Sequence, residues 1–141
     1  MQFPEVRGRR LRRNDGLRRM VRENHVRSDD FVYPMFVVPG KGIKKEIASM
    51  PGQFQMSVDM ATEMALEAND LGVPSVILFG IPKSKDEVGK SAWDGNGVVQ
   101  KAIRSIKEAR ESIVVCADAC FCEYTSPVSY THLTLPTICS V

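Results

Sequence analysis

The sequence predicts an α/β fold in which an extended basic arm precedes the order strand, helix, strand, helix, strand. Three observations carry that prediction. The runs Phe31–Val38 and Ser75–Gly80 are apolar on both faces, as strands covered on both sides require. The segments following them show helical spacing with recognisable starts and stops. A third apolar run, from about Ser112, ends in Cys116-Ala-Asp-Ala-Cys-Phe-Cys122, which places chemistry-bearing residues where parallel α/β folds hold their sites.

The chain has 141 residues, 43% of them apolar, which is one domain's worth of ordinary globular sequence. Its net charge of +2 is unevenly divided. Residues 1–27 hold nine Arg against Glu5, Asp15 and Glu23, a balance of +6 that leaves −4 for the remainder. No apolar run approaches the length of a membrane span. Arginines occupy the positions where a signal peptide needs an apolar core, so the expected location is cytoplasmic, with no membrane partner. Four cysteines in such a chain favour reduced thiols or bound metal over disulfides.

Residues 1–30 form the Arg-rich arm. Within it Asn14 or Asp15 can cap a short helix carrying Leu17, Met20 and Val21 at helical spacing. An Arg-rich nucleic-acid-binding module is the alternative reading of this stretch. The arm has no aromatic residue between Phe3 and Phe31 and no named nucleic-acid motif, so a subunit-contacting role is favoured and no nucleic acid is expected. His25 reads as a solvated residue of the arm.

Phe31–Val38 is the first strand and closes at Pro39-Gly40. Ser57 can cap a helix running to about Leu71, with Asp59 near the positive end of its dipole and Met60, Met64, Leu66 and Leu71 available for burial. Gly72 is a suitable stop. Ser75–Gly80 is the second strand, parallel to the first because a helix connects them. Its loop, residues 81–95, is long and polar; solvation accounts for Lys83, Lys85 and Lys90, and Trp93 is a candidate packing anchor. Asn96 is placed to cap the next helix, whose apolar stripe is Val99, Ala102, Ile103, Ile106 and Ala109, while Lys101, Arg104 and Lys107 face water.

The third strand carries the candidate site. If it stays extended, Cys116, Asp118, Cys120 and Cys122 share one face while Val115, Ala117, Ala119 and Phe121 take the other. Two thiolates two residues apart can then converge on one ion, and zinc suits soft sulfur ligands. The competing reading is an α/β enzyme of other chemistry in which these cysteines are small structural side chains.

With these residues in view, the chain resembles the porphobilinogen synthase family, also called 5-aminolaevulinate dehydratase. The resemblance rests on Arg9-Arg-Leu-Arg-Arg-Asn14, Phe31-Val-Tyr-Pro-Met-Phe-Val37, Ser49-Met-Pro-Gly52, Leu78-Phe-Gly-Ile-Pro82 and above all Asp118-Ala-Cys-Phe-Cys-Glu-Tyr-Thr-Ser126. It implies that residues 31–126 are the N-terminal part, about three strands, of a (β/α)8 TIM barrel. It further implies a homo-oligomer, commonly an octamer, held through the arm. The implied reaction condenses two molecules of 5-aminolaevulinate to porphobilinogen with loss of two waters, on the route to haem and other tetrapyrroles. Carried over residue by residue, Cys120 and Cys122 match the first two of three zinc ligands, and Asp118 matches an acidic residue near the substrates. Cys116 matches no ligand and is expected in the core. The presence of the cysteines points to the zinc-dependent class, and the full-length protein has room for an additional magnesium. The two Schiff-base lysines of the family lie on later strands. None of Lys83, Lys85, Lys90 or Lys101 belongs to a matching motif.

After Ser126 the family pattern calls for a His-Gly-His-Cys-Gly-type segment with the third cysteine, and the chain instead reads Pro127-Val-Ser-Tyr-Thr-His-Leu-Thr-Leu-Pro-Thr-Ile-Cys-Ser-Val141. The codons GTC TCT TAT ACA CAT CTG ACG CTG CCG ACG encode Val128 to Thr137 and resemble the fixed end of a transposon-based library adaptor. Residues 127–141 are therefore read as a non-native tail, a translated sequencing adaptor, and His132 and Cys139 as no part of any site. A chain with three strands of eight also leaves strands one and three with bare apolar edges.

Overall fold

The computed structural model describes residues 4, 5 and 7–126. Five strands form one sheet in the order β2-β3-β1-β4-β5, where β1 is Val32–Val37, β2 Lys44–Glu46, β3 Phe54–Met56, β4 Ser75–Gly80 and β5 Val114–Ala117. β1, β4 and β5 run parallel, in registers such as Met35↔Leu78 and Ile77↔Cys116. Helices α2 (Val58–Asp70) and α3 (Val98–Ala109) connect them. This is the β-α-β-α-β order expected from the sequence, and the bounds of β4 are those expected.

Both crossover helices pack on one face of the sheet. Met35, Val37, Val76 and Leu78 point to that face and meet Ala61, Ala65, Val99, Ala102 and Ile106, all buried. The alternation along β1 and β4 is the period of two that a pleated strand imposes. Burying one such aliphatic side chain contributes about 1.5–3 kcal/mol. The alanines at 61, 65 and 68 let α2 lie close to its neighbours, and Thr62 Oγ1 donates to Ser105 Oγ of α3 at 2.9 Å. The opposite face carries Phe36 and Phe79, stacked with centroids 5.4 Å apart.

In the arm, α1 (Asp15–Met20) starts where the cap was expected: Asn14 Oδ1 accepts from Leu17 N at 2.9 Å. Gly72, at φ 90°, follows α2 as its stop.

Other expectations are corrected. The sequence reading assigned no element to residues 44–56, which form the hairpin β2–β3, whose second strand pairs parallel with the end of β1 through Phe36↔Gln55 and Val37↔Met56. Strand one is therefore not an edge along its whole length. Ser57 stands at the N-cap of α2, but its hydroxyl accepts from Ile43 N at 2.9 Å and donates to Asp59 Oδ1, so it fastens the hairpin and does not cap the helix. Gly97, not Asn96, precedes α3. Leu71 is 75% exposed and Ala109 is exposed, since each sits at the end of its helix beyond the sheet. Cys116 is exposed and not core, because nothing among the described residues covers that part of β5.

Candidate site at the carboxyl end of the third parallel strand

β5 ends at Ala117, so the extended ladder expected through Cys122 does not form. β4 has only two residues beyond Leu78, the partner of Ala117, so a ladder paired with it could not run past Ala119 to Cys122. Asp118 N still donates to Leu78 O at 3.1 Å, which fixes the start of the departing chain. The segment then folds into a 3-10 turn, Phe121–Glu123, with Cys120 as its leading residue.

The turn brings the two sulfurs together by a route other than strand alternation. Cys120 and Cys122 are joined as a disulfide, with Cα atoms 5.6 Å apart, where reduced thiols were expected. A shared ion also needs the two side chains to point toward one another, with the sulfurs reduced and farther apart than in a disulfide. Cys116 stands outside the pair. Among the described residues no third His, Cys, Asp or Glu completes a metal-holding group with these two. Two converging sulfurs are two soft donors of the kind a metal ion takes.

Three contacts hold the turn in place. Lys85 Nζ donates to Cys122 O at 2.9 Å. Asp86 N donates to Tyr124 O and Ser126 N to Asp86 O, a parallel bridge between Asp86 and Thr125. The Asp86 carboxylate also accepts from Val88 N and Lys90 N, which shapes the loop it belongs to. Trp93, 57% exposed, anchors this loop only loosely, its ring 6.3 Å from that of Phe121.

Tyr124 lies buried beneath the turn. A cleft of about 270 Å³ opens beside it, lined by Val99, Ile103, Asp118, Cys120, Phe121 and Tyr124. Burial, the charge of Glu123 and that of Asp118 all push the Tyr124 phenol up, so it stays a neutral hydroxyl. Glu123 is pushed up chiefly by burial and then by Asp118, with Lys85 and the Gly80 N–H opposing. Its Oε2 is buried without a hydrogen-bond partner. Asp118 and Glu123 thus make an acidic corner with one lysine facing it.

Of the residues singled out from sequence, Asp118, Cys120 and Cys122 are brought together. His25 stays on the arm beside Arg19 and Arg22. His132 and Cys139 lie outside the described residues, as does the whole of the expected tail. Lys83 and Lys101 line a separate hollow with Asn96 and Gly97. Sequence reasoning missed Lys85, Asp86, Glu123 and Tyr124, because a charge in a polar loop carries no periodicity that separates a tether from a solvated side chain.

The family model described as delta-aminolevulinic acid dehydratase matches residues 5–134. A curated delta-aminolevulinic acid dehydratase from Synechococcus elongatus is 54% identical over 123 residues, covering 87% of this chain and 38% of that protein. One from Staphylococcus aureus is 46% identical over 119 residues, covering 84% of this chain and 37% of that protein. The chain thus spans less than two fifths of the length of these relatives. Among solved structures, delta-aminolevulinic acid dehydratase (porphobilinogen synthase) from Toxoplasma gondii ME49, in complex with the reaction product porphobilinogen, superposes with a TM-score of 0.79 at 30% identity. It covers 89% of this chain and 35% of that one, so the sheet described above corresponds to part of a larger fold.

Proposed function

The chain belongs to the delta-aminolevulinic acid dehydratase family, and we propose that it is the amino-terminal portion of a porphobilinogen synthase that condenses two molecules of 5-aminolaevulinate with loss of two waters. The observation that carries this reading is the convergence of Cys120 and Cys122 beside Asp118 at the carboxyl end of β5. Reduced, the two thiols supply two soft donors to a zinc ion in the whole protein, the third coming from chain beyond Ser126. An ion held by these residues would supply Lewis-acid chemistry. Magnesium is the second ion proposed for the whole protein. Asp118 and Glu123 offer negative charge to an amino group of the substrate, and Lys85 and the Asp86 bridge hold the turn that presents them. Residues 1–30 are proposed as a subunit-contacting arm of a cytoplasmic homo-oligomer, an octamer by resemblance. The lysines that would form Schiff bases belong to strands this chain does not contain, so the 141-residue polypeptide is inactive by itself.

The tail from Pro127 is proposed to be adaptor-derived. Sequencing the source DNA across codon 127 tests this; Pro-Val-Ser-Tyr in an adaptor-free genomic read overturns it. Activity is tested by assaying porphobilinogen formation with the 141-residue chain and with the uninterrupted gene product. Product from the second alone is expected, and product from the first overturns the reading.

A further inference from the structure

The start of α3 carries positive charge that nothing among the described residues offsets. No side chain caps the helix and its first turn holds no acidic residue, so the amides of that turn are left without helical partners. Gly97 cannot supply the cap, because a Cβ there would lie 2.9 Å from Ser91 O and 3.0 Å from Asp94 O. Lys101, the fourth residue of the helix, adds a cation at the same end, toward which helical side chains lean. A cation beside the positive end of a helix dipole is unfavourable unless an anion joins it.

That end of α3 opens on a cavity of about 320 Å³. Lys83, from the loop after β4, lines it together with Lys101, and neither ammonium has an ion pair or hydrogen bond among the described residues. Tyr124, only 6% exposed, forms another part of the wall, and its hydroxyl makes no hydrogen bond among the described residues. Its Oη reaches over Gly80, two residues before Pro82 of the same wall. Ser91 Oγ, also in the wall, is buried without a partner. The single acidic side chain of the lining, Asp94, is engaged, accepting from Asn96 N at 2.8 Å.

We infer that this cavity binds the phosphate group of a small phosphomonoester, held by the Lys83 and Lys101 ammoniums, the first-turn amides of α3 and the Tyr124 hydroxyl. Unpartnered amides at a helix start with cations beside them form an anion site. Two ammoniums against one engaged carboxylate disfavour a metal cation as the occupant. A carboxylate has two oxygens, whereas the three terminal oxygens of a phosphomonoester match donors arriving from loop, helix and tyrosine. The volume suits a small molecule. The site is separate from the cleft beside Cys120, and Tyr124 is the residue common to both walls. It depends neither on the cysteines nor on chain beyond Ser126.

The test is titration of the 141-residue chain, and of the uninterrupted gene product, with inorganic phosphate and with glycerol phosphate at constant ionic strength. Calorimetry gives the affinity, and amide chemical shifts of the short chain give the place. Saturable shifts are expected at Lys83, Val98, Val99 and Gln100. Lys83→Met and Lys101→Met, both at exposed positions, are each expected to weaken binding about tenfold. Tyr124→Phe keeps the ring and loses only the hydroxyl, and is expected to weaken it about threefold. Lys90→Met, in the same loop but outside the cavity, is expected to bind as the parent does. Shifts confined to the arginines of the arm, or parental affinity in both Lys83→Met and Lys101→Met, overturn the inference. Equally strong shifts with acetate overturn phosphate as the group recognised. Porphobilinogen formation is read separately, so loss of the proposed activity leaves this result standing.

Discussion

The ring of Tyr124 closes over Gly80: a Cβ placed on Gly80 would overlap Tyr124 Oη and come within 2.5 Å of Val99 Cγ2. The last residue of β4 therefore has no side chain because the chain leaving β5 needs that space. Tyr124 in turn sits under the turn that carries Cys120 and Cys122, so a backbone position in one strand controls the placement of sulfurs that follow another.

Gly80→Ala is accordingly expected to destabilise the chain by about 1–3 kcal/mol, the usual cost of inserting a methyl into a filled site. Urea unfolding monitored by fluorescence of Tyr124 and Trp93 measures it. An unchanged midpoint would show that Tyr124 is not packed there.

Asp86→Ala removes the carboxylate that accepts from Val88 N and Lys90 N. The expected loss is about 1 kcal/mol, confined to the loop. Amide exchange should rise at Val88 and Lys90 and, through the bridge to Thr125, at Ser126, while the amides of β1 and β4 stay protected. Equal rates in both proteins would mean the bridge does not hold the turn.

Asp59 supplies the pH dependence. Hydrogen bonds from the Ser57 hydroxyl and then from Gly42 N hold its carboxyl below the ordinary value of 3.8. A depressed carboxyl contributes stability that is fully present above the unfolded value and is lost as pH falls through the folded one. Asp59→Asn should therefore lower stability at neutral pH, with the difference from the parent shrinking below about pH 4. Chemical denaturation at a series of pH values reads this, and a pH-independent gap would contradict it.

Legibility from sequence followed the strength of the local signal. Ser75–Gly80 was readable to the residue because an apolar run between Pro74 and Ile81-Pro82 admits little else. The helices were readable from their stripes and the start of α2 from Ser57, though α3 starts one residue later than expected and the Ser57 hydroxyl is taken by Ile43, a partner 14 residues away that no local rule anticipates. The β2–β3 hairpin was hidden because its strands are three residues long, and Lys44-Lys45-Glu46 has the composition of a loop. At the site, the convergence of Cys120 and Cys122 was expected from sequence, but the route to it was not. Cys120 and Cys122 meet through a turn and not by strand alternation; β4 ends two residues past the partner of Ala117, and Tyr124 fills the space above Gly80.

The most direct test of the account is zinc content per chain in the uninterrupted gene product, purified under reducing conditions, for the parent and for Cys116→Ser, Cys120→Ser and Cys122→Ser. The account predicts stoichiometric zinc and porphobilinogen formation in the parent and in Cys116→Ser, with both lost in the other two. Full zinc in Cys120→Ser and Cys122→Ser would contradict it.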